Sequence, residues 1–210
     1  MKKFILPLLV LLFVGSLFAV ESAPSEVVGY VKYELLVGNN TIALPMDQPY
    51  TLASEIGNAI GANAVAYFDT DTQEWETANL SEYGWTGDFN VSNGQTLWVS
   101  LDAPATFYSL GNMPASFPVY SLVAGNNTIM LPLNRNDLTL ASQVGNEIGA
   151  NAVAHFNASI QEWESANFSE YGWSGDFTTA IADPLWISTS TAGTWPAPTR
   201  RATQSYGTRK

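Results

Sequence analysis

From residue 27 to residue 37 apolar and polar positions alternate. Val27, Val31, Tyr33, Leu35 and Val37 share one face and Lys32 and Glu34 the other, the period-two pattern of a half-buried strand. Gly38-Asn39-Asn40 supplies turn chemistry, and Thr41–Leu44 resumes as a strand stopped by Pro45. The period then changes: Leu52, Ile56 and Ile60 form an i, i+4, i+8 stripe, which predicts a short helix over 51–60 with Thr51 as N-cap and Gly61 as its stop. Alternation returns in Ala64–Asp69 and Gln73–Thr77, a predicted hairpin. An aromatic-rich irregular stretch, Ser81–Asp88, follows. Short strands are predicted at Phe89–Val91, Thr96–Leu101 and Thr106–Ser109.

The same order is then spelled a second time. NAVAYFDTDTQEWETANLSEYGW at Asn63–Trp85 returns as NAVAHFNASIQEWESANFSEYGW at Asn151–Trp173, and Gly38–Ile42 returns as Gly125–Ile129. Self-similarity on this scale defines two tandem modules. The division is residues 1–20 as a leader, 24–112 as module one, 113–196 as module two and 197–210 as a basic tail. The fold class is mainly β (α+β), with one short helix per module. Gly57 and Gly145 sit inside those helices, where glycine costs about 1 kcal/mol, so each should mark a close approach by a neighbouring element. The copies differ where Val31 corresponds to Pro118. Proline cannot donate to a sheet ladder, so the second module's first strand should be an edge or cut short. The first strand has no such block. Its partner is either its own module or, by strand addition, the next chain of a homopolymer. In the second case Val27, Val31, Tyr33 and Leu35 would carry assembly, with Arg200 and Arg201 of the tail.

Composition narrows the setting. Lys2-Lys3, an apolar run over 4–14 and a short exit of small residues read as a secretory signal peptide, which predicts a secreted or cell-surface protein without a membrane span in the mature chain. There is no cysteine, so each module is held by its apolar core, and cysteine catalysis is excluded. Between Val20 and Thr199 two cations stand against nineteen acids, a net of −17, whereas the last eleven residues carry four cations and no acid. So acidic a body repels phosphate backbones, which excludes nucleic acid as a partner. The tail is an interaction arm or a solubilising end.

Candidate chemistry is sparse. Glu74 and Glu76 flank Trp75 as on a solvated strand face, and His155 is matched by Tyr67, so neither pattern supports a catalytic pair; no enzymatic activity and no metal centre are expected. Calcium could use Asp69 and Asp71, though the second copy has Asn157 and Ser159 there and the loop lacks the glycine and terminal glutamate of an EF-hand. Tyr83, Trp85, Tyr171 and Trp173 lie in glycine-flanked loops and are either platforms for a polysaccharide or core; Trp75 and Trp98, in strands, read as core. Asn39, Asn79, Asn126 and Asn167 begin Asn-x-Ser/Thr at equivalent places and are candidate glycosylation sites.

The run Gly-x-Asn-x-Ile-x-Leu-Pro (Gly38–Pro45, Gly125–Pro132), a short helix, Gln-x-Trp and Leu-Trp-Val/Ile resembles small repeat modules of secreted and surface-anchored prokaryotic proteins. The resemblance implies a non-catalytic role. The sequence therefore points to a structural or adhesive subunit of an extracellular fibre or surface layer, or alternatively to a carbohydrate-binding protein.

Overall fold

The computed structural model describes residues 28–196. The leader, Val27, Arg200 and Arg201 lie outside the described residues. Module one comprises β1 (Val28–Leu35), β2 (Gly38–Ala43), α1 (Ala53–Ile60), β3 (Ala62–Asp69), β4 (Glu74–Ser81), β5 (Gly84–Thr86), β6 (Thr96–Leu101) and β7 (Ala105–Asn112). Module two repeats it with β8 (Tyr120–Leu122), β9 (Gly125–Met130), α2 (Ala141–Ile148), β10 (Ala152–Asn157), β11 (Glu162–Ser169), β12 (Gly172–Ser174), β13 (Pro184–Thr189) and β14 (Gly193–Trp195). Each has an antiparallel five-stranded sheet, ordered β2-β6-β3-β4-β5 or β9-β13-β10-β11-β12, and a two-stranded ribbon, β1-β7 or β8-β14.

The core of module one lies on one face of its sheet. Ile42, Val65, Leu97 and Val99 project from the strands onto Ile56 and Ile60 of α1 and onto Leu35 and Phe107 of the ribbon. Module two substitutes Ile129, Val153, Leu185 and Ile187 beneath Val144, Leu122 and Trp195. Alternation along the strands leaves the other sheet face free for a different use.

Local chemistry explains the boundaries. The helix starts at Ala53 with Leu52 as N-cap, one position beyond the expected Thr51. Glu55 reaches back to accept hydrogen bonds from the backbone N–H groups of Thr51 (2.7 Å) and Leu52 (3.1 Å), and the Thr51 hydroxyl donates to that carboxylate instead of capping the helix. Asp88 accepts from the backbone N–H and hydroxyl of Ser54 (3.0 and 2.5 Å). Gln143 and Asp176 do the same for α2. The strand expected at Phe89–Val91 is reduced to a bridge between Asn90 and Leu52, held by Ala53 N–H to Phe89 O and Val91 N–H to Thr51 O. The stretch expected to be irregular is instead hairpin: β4 runs on to Ser81 and β5 pairs back onto it.

The first strand has its partner inside the chain. β1 pairs with β7 along all eight residues, from Val28 opposite Asn112 to Leu35 opposite Ala105. Leu35 is buried in the module core, while Val31 and Tyr33 pack where the modules meet. Beyond Pro118 the second ribbon shrinks to three pairs, Tyr120–Trp195 to Leu122–Gly193.

Candidate functional site

The outer sheet faces build two features: a junction between the modules and a groove beside it. On β3, β4 and β6 the outward positions carry Phe68, Trp75 and Trp98. Their counterparts on β10, β11 and β13 are Phe156, Trp163 and Trp186. Phe68 meets Trp186 at 4.6 Å between ring centroids and Trp98 meets Phe156 at 4.5 Å. Trp75 stacks on Trp186 (5.9 Å, 20°), and Trp163 lies tilted by 30° on Trp98 at 5.7 Å. Trp75 and Trp98 thus lie outside either module's core, contrary to the reading of them as core residues. They are the contact between modules.

Polar groups repeat the reciprocity. The side-chain amide of Gln73 donates to the Asn126 carbonyl (2.7 Å) and accepts from the Asn126 N–H (2.8 Å). Gln161 does the same at Asn39, at 2.9 and 2.8 Å. Each glutamine acts as a short piece of strand against the other module. Gly38 and Gly125 make room: a Cβ at either would collide with the glutamine amide, and both have positive φ (91° and 123°). Tyr33 donates its hydroxyl to the Ala182 carbonyl, and Tyr120 donates to Gly94 (2.9 Å each). Burial holds both phenols above their ordinary pKa. Every one of these contacts recurs with the modules exchanged, so the pairing is isologous and the chain has an approximate two-fold axis through its aromatic cluster. The space enclosed there is about 20 Å³, little more than one water.

The groove opens where the outer face of sheet one escapes the junction. Ala64 and Ala66 of β3 form its floor, with Thr77 of β4 and Ser100 of β6 alongside and Asn39 at one end. Trp75 and Trp98 wall it, and Trp163 from module two supplies a third indole. Its volume is about 560 Å³, within the range of small-ligand sites. Trp75 is 45% exposed and Trp163 43%, high for indoles already engaged in stacking. Trp98 is oriented by donating its indole N–H to the Asn39 side-chain oxygen (3.2 Å). No charged residue lines the groove.

The other candidates fall elsewhere. Tyr83 and Tyr171 stand in solvent, 90% and 91% exposed, on the loops ahead of β5 and β12. Trp85 and Trp173 turn back onto the helices, where Gly57 and Gly145 leave space for the ring; each donates its indole N–H to Asn58 or Asn146 at 2.9 Å. Asn79 and Asn167 are exposed and sit across from Ala64 and Ala152, so a glycan on Asn79 would stand on the groove's own face. The Asp69 carboxylate accepts from the N–H groups of Asp71 and Thr72, closing its hairpin turn. Among the described residues no group of three or more His, Asp or Glu side chains is placed to hold a metal, and no helix is long and apolar enough to cross a membrane. His155 binds Glu164 (2.7 Å) and stacks on Phe177. Its counterpart Tyr67 is pushed up to about 12 by desolvation and by Glu76.

Sequence reasoning missed the groove and the junction together, although a signal was present. β6 reads Leu97-Trp98-Val99, apolar on both faces, the mark of a strand covered on both sides.

Fold and site define a chain of two repeated mainly-β modules, closed face to face into a two-fold pair that carries an aromatic groove. No family model, curated protein or solved structure matches it.

Proposed function

We propose that this is a non-catalytic, secreted adhesive protein that binds a neutral polysaccharide in the groove of Trp75, Trp98 and Trp163. One observation carries the reading: exposed indoles bound a floor of alanines edged by hydroxyl and amide groups, with no charge. Sugar rings offer apolar C–H faces to aromatic planes and hydroxyls to Thr77, Ser100 and Asn39. An uncharged lining suits an uncharged ligand. The resemblance of the repeat to modules of secreted and surface proteins agrees with this setting.

Affinity electrophoresis through native gels containing hydroxyethylcellulose, starch, xylan or galactomannan tests it. At least one should retard the protein, and Trp75→Ala should weaken that binding at least tenfold. Because Trp75 also stacks on Trp186, Thr77→Glu is the cleaner variant: it charges this groove without touching the junction and should weaken retardation. No retardation in any gel, or unchanged retardation of both variants, removes the reading.

A second reading, a fibre or surface-layer subunit, draws on a different surface. Val28, Tyr30, Tyr108 and Leu110 form an outward patch on the ribbon, each 51–63% exposed, and β1 is an edge strand. It would act through that edge and patch, since β7 already fills the strand's other side.

A further inference from the structure

The approximate two-fold axis has a consequence for the groove, because a groove built on one outer face must recur on the other. Every lining position has its counterpart. Ala64, paired with Ser100, and Ala66, paired with Trp98 and Thr77, return as Ala152, paired with Ser188, and Ala154, paired with Trp186 and Ser165. Asn39 returns as Asn126, which like Asn39 is held by the opposite module's glutamine. Thr77→Ser165 is the one change of residue, and it keeps the hydroxyl. Module two contributes Trp163 to the first groove, so the same axis brings Trp75 of module one to the second.

Resting on the proposed polysaccharide binding, we infer that the protein carries two equivalent saccharide sites, both composite, which share Trp75 and Trp163. Neither site exists in a single module, since each takes one indole from the other. The ligand is an uncharged chain of hexose or pentose units. Anionic sugars find no cation in either lining and meet a body of net −17. Two sites on one rigid pair can hold two chains at once. This turns a binding protein into a cross-linker of polysaccharide, with avidity set by the fixed spacing.

The test is calorimetric titration of the full chain with the hexasaccharide of whichever neutral polysaccharide retards it. The expected stoichiometry is two. Ala64→Leu should fill the first groove and Ala152→Leu the second. Each should give a stoichiometry of one at unchanged affinity, and the double variant none; Trp75→Ala should weaken both sites. Thr77→Glu and Ser165→Glu form a second pair, on exposed or half-buried positions, should the leucines disturb folding as judged by near-ultraviolet circular dichroism. The wild type should also precipitate the long polysaccharide, and the single variants should not. A wild-type stoichiometry of one, or loss of all binding in Ala64→Leu, overturns the twin-site inference and leaves a single groove standing. No heat with any hexasaccharide, together with no gel retardation, overturns the groove reading as well.

Discussion

Replacing Trp98 by alanine should separate the two modules energetically without emptying either core. Trp98 packs on Phe156 at 4.5 Å, Trp163 at 5.7 Å and Trp75 at 6.0 Å, and its indole N–H donates to Asn39. Tryptophan truncations in packed sites cost about 3–5 kcal/mol. Trp98 is only part-buried, so the lower end, about 3 kcal/mol, applies. Of that, about 0.5–1.5 kcal/mol belongs to the Phe156 pair beyond its area, and about 1 kcal/mol to the hydrogen bond. The neighbours Leu97 and Val99, fully buried on the opposite face, are left as they were. Urea unfolding followed by tryptophan fluorescence and by calorimetry reads the effect. The wild type should unfold in one transition, and Trp98→Ala in two, each with a lower m-value because each exposes less surface. The two-fold axis adds a sharper demand. Trp186→Ala, the symmetric change, should cost the same within about 1 kcal/mol, and a double-mutant cycle of Trp98 with Phe156 should show coupling of about 0.5–1.5 kcal/mol. A cost below about 1 kcal/mol for Trp98→Ala, or a single sharp transition in both variants, would refute the junction as a source of stability.

Two further expectations concern the module interiors. Gly57→Ala and Gly145→Ala should gain about 1 kcal/mol of helix propensity, yet each new Cβ meets the six-membered ring of Trp85 or Trp173, so the net change should be a loss of about 1–3 kcal/mol; a raised melting temperature in either would show that the indole can move aside. Burial holds the Asp183 carboxyl above its ordinary pKa, so the unfolded chain ionises first as pH rises, and the burden on stability is absent below about 3.8 and complete above the folded pKa. Asp183→Asn, which can still accept from the Ala180 N–H, should therefore raise the melting temperature at pH 7 by a margin that shrinks towards pH 4; a margin independent of pH would place the effect elsewhere.

Much of the fold was legible because periodicity speaks for each element on its own. The i, i+4, i+8 stripe marked α1, the Gly57 and Gly145 repeats marked a close approach, and Pro118 marked the shortened ribbon of module two. What approaches those glycines was not legible: Trp85 and Trp173 come from β5 and β12, short strands nearly thirty residues further along the chain. The GNNTI repeat showed turn chemistry, but three of its residues do separate work. Gly38 clears space for Gln161, Asn39 offers it a backbone N–H and carbonyl, and Asn40 is buried and closes the β1–β2 turn through Leu36. The roles of Gly38 and Asn39 depend on Gln161, which lies 122 residues beyond Asn39, and no local pattern encodes such a partner. Trp75 and Trp98 read as core for the same reason. An aromatic residue in a strand declares that it is covered, and leaves open by what.

The pairing is also specific to one module of each kind, and this is written where the repeat departs from itself. Ala43 and Met130 occupy equivalent places, both fully buried in the small cluster that joins the modules, with Ala182, Tyr33 and Tyr120 packed around them. One alanine and one methionine share that space. Two copies of module one would bring two alanines and leave a void. Two copies of module two would bring two methionines and overfill it, at a cost of about 1–3 kcal/mol. A short linker favours intramolecular pairing by raising local concentration, and the Ala43–Met130 match favours the same pairing by shape. Each groove takes an indole from both modules, so what selects the correct pair also assembles the groove. Junction stability and ligand affinity should then move together, and Trp98→Ala should lose both.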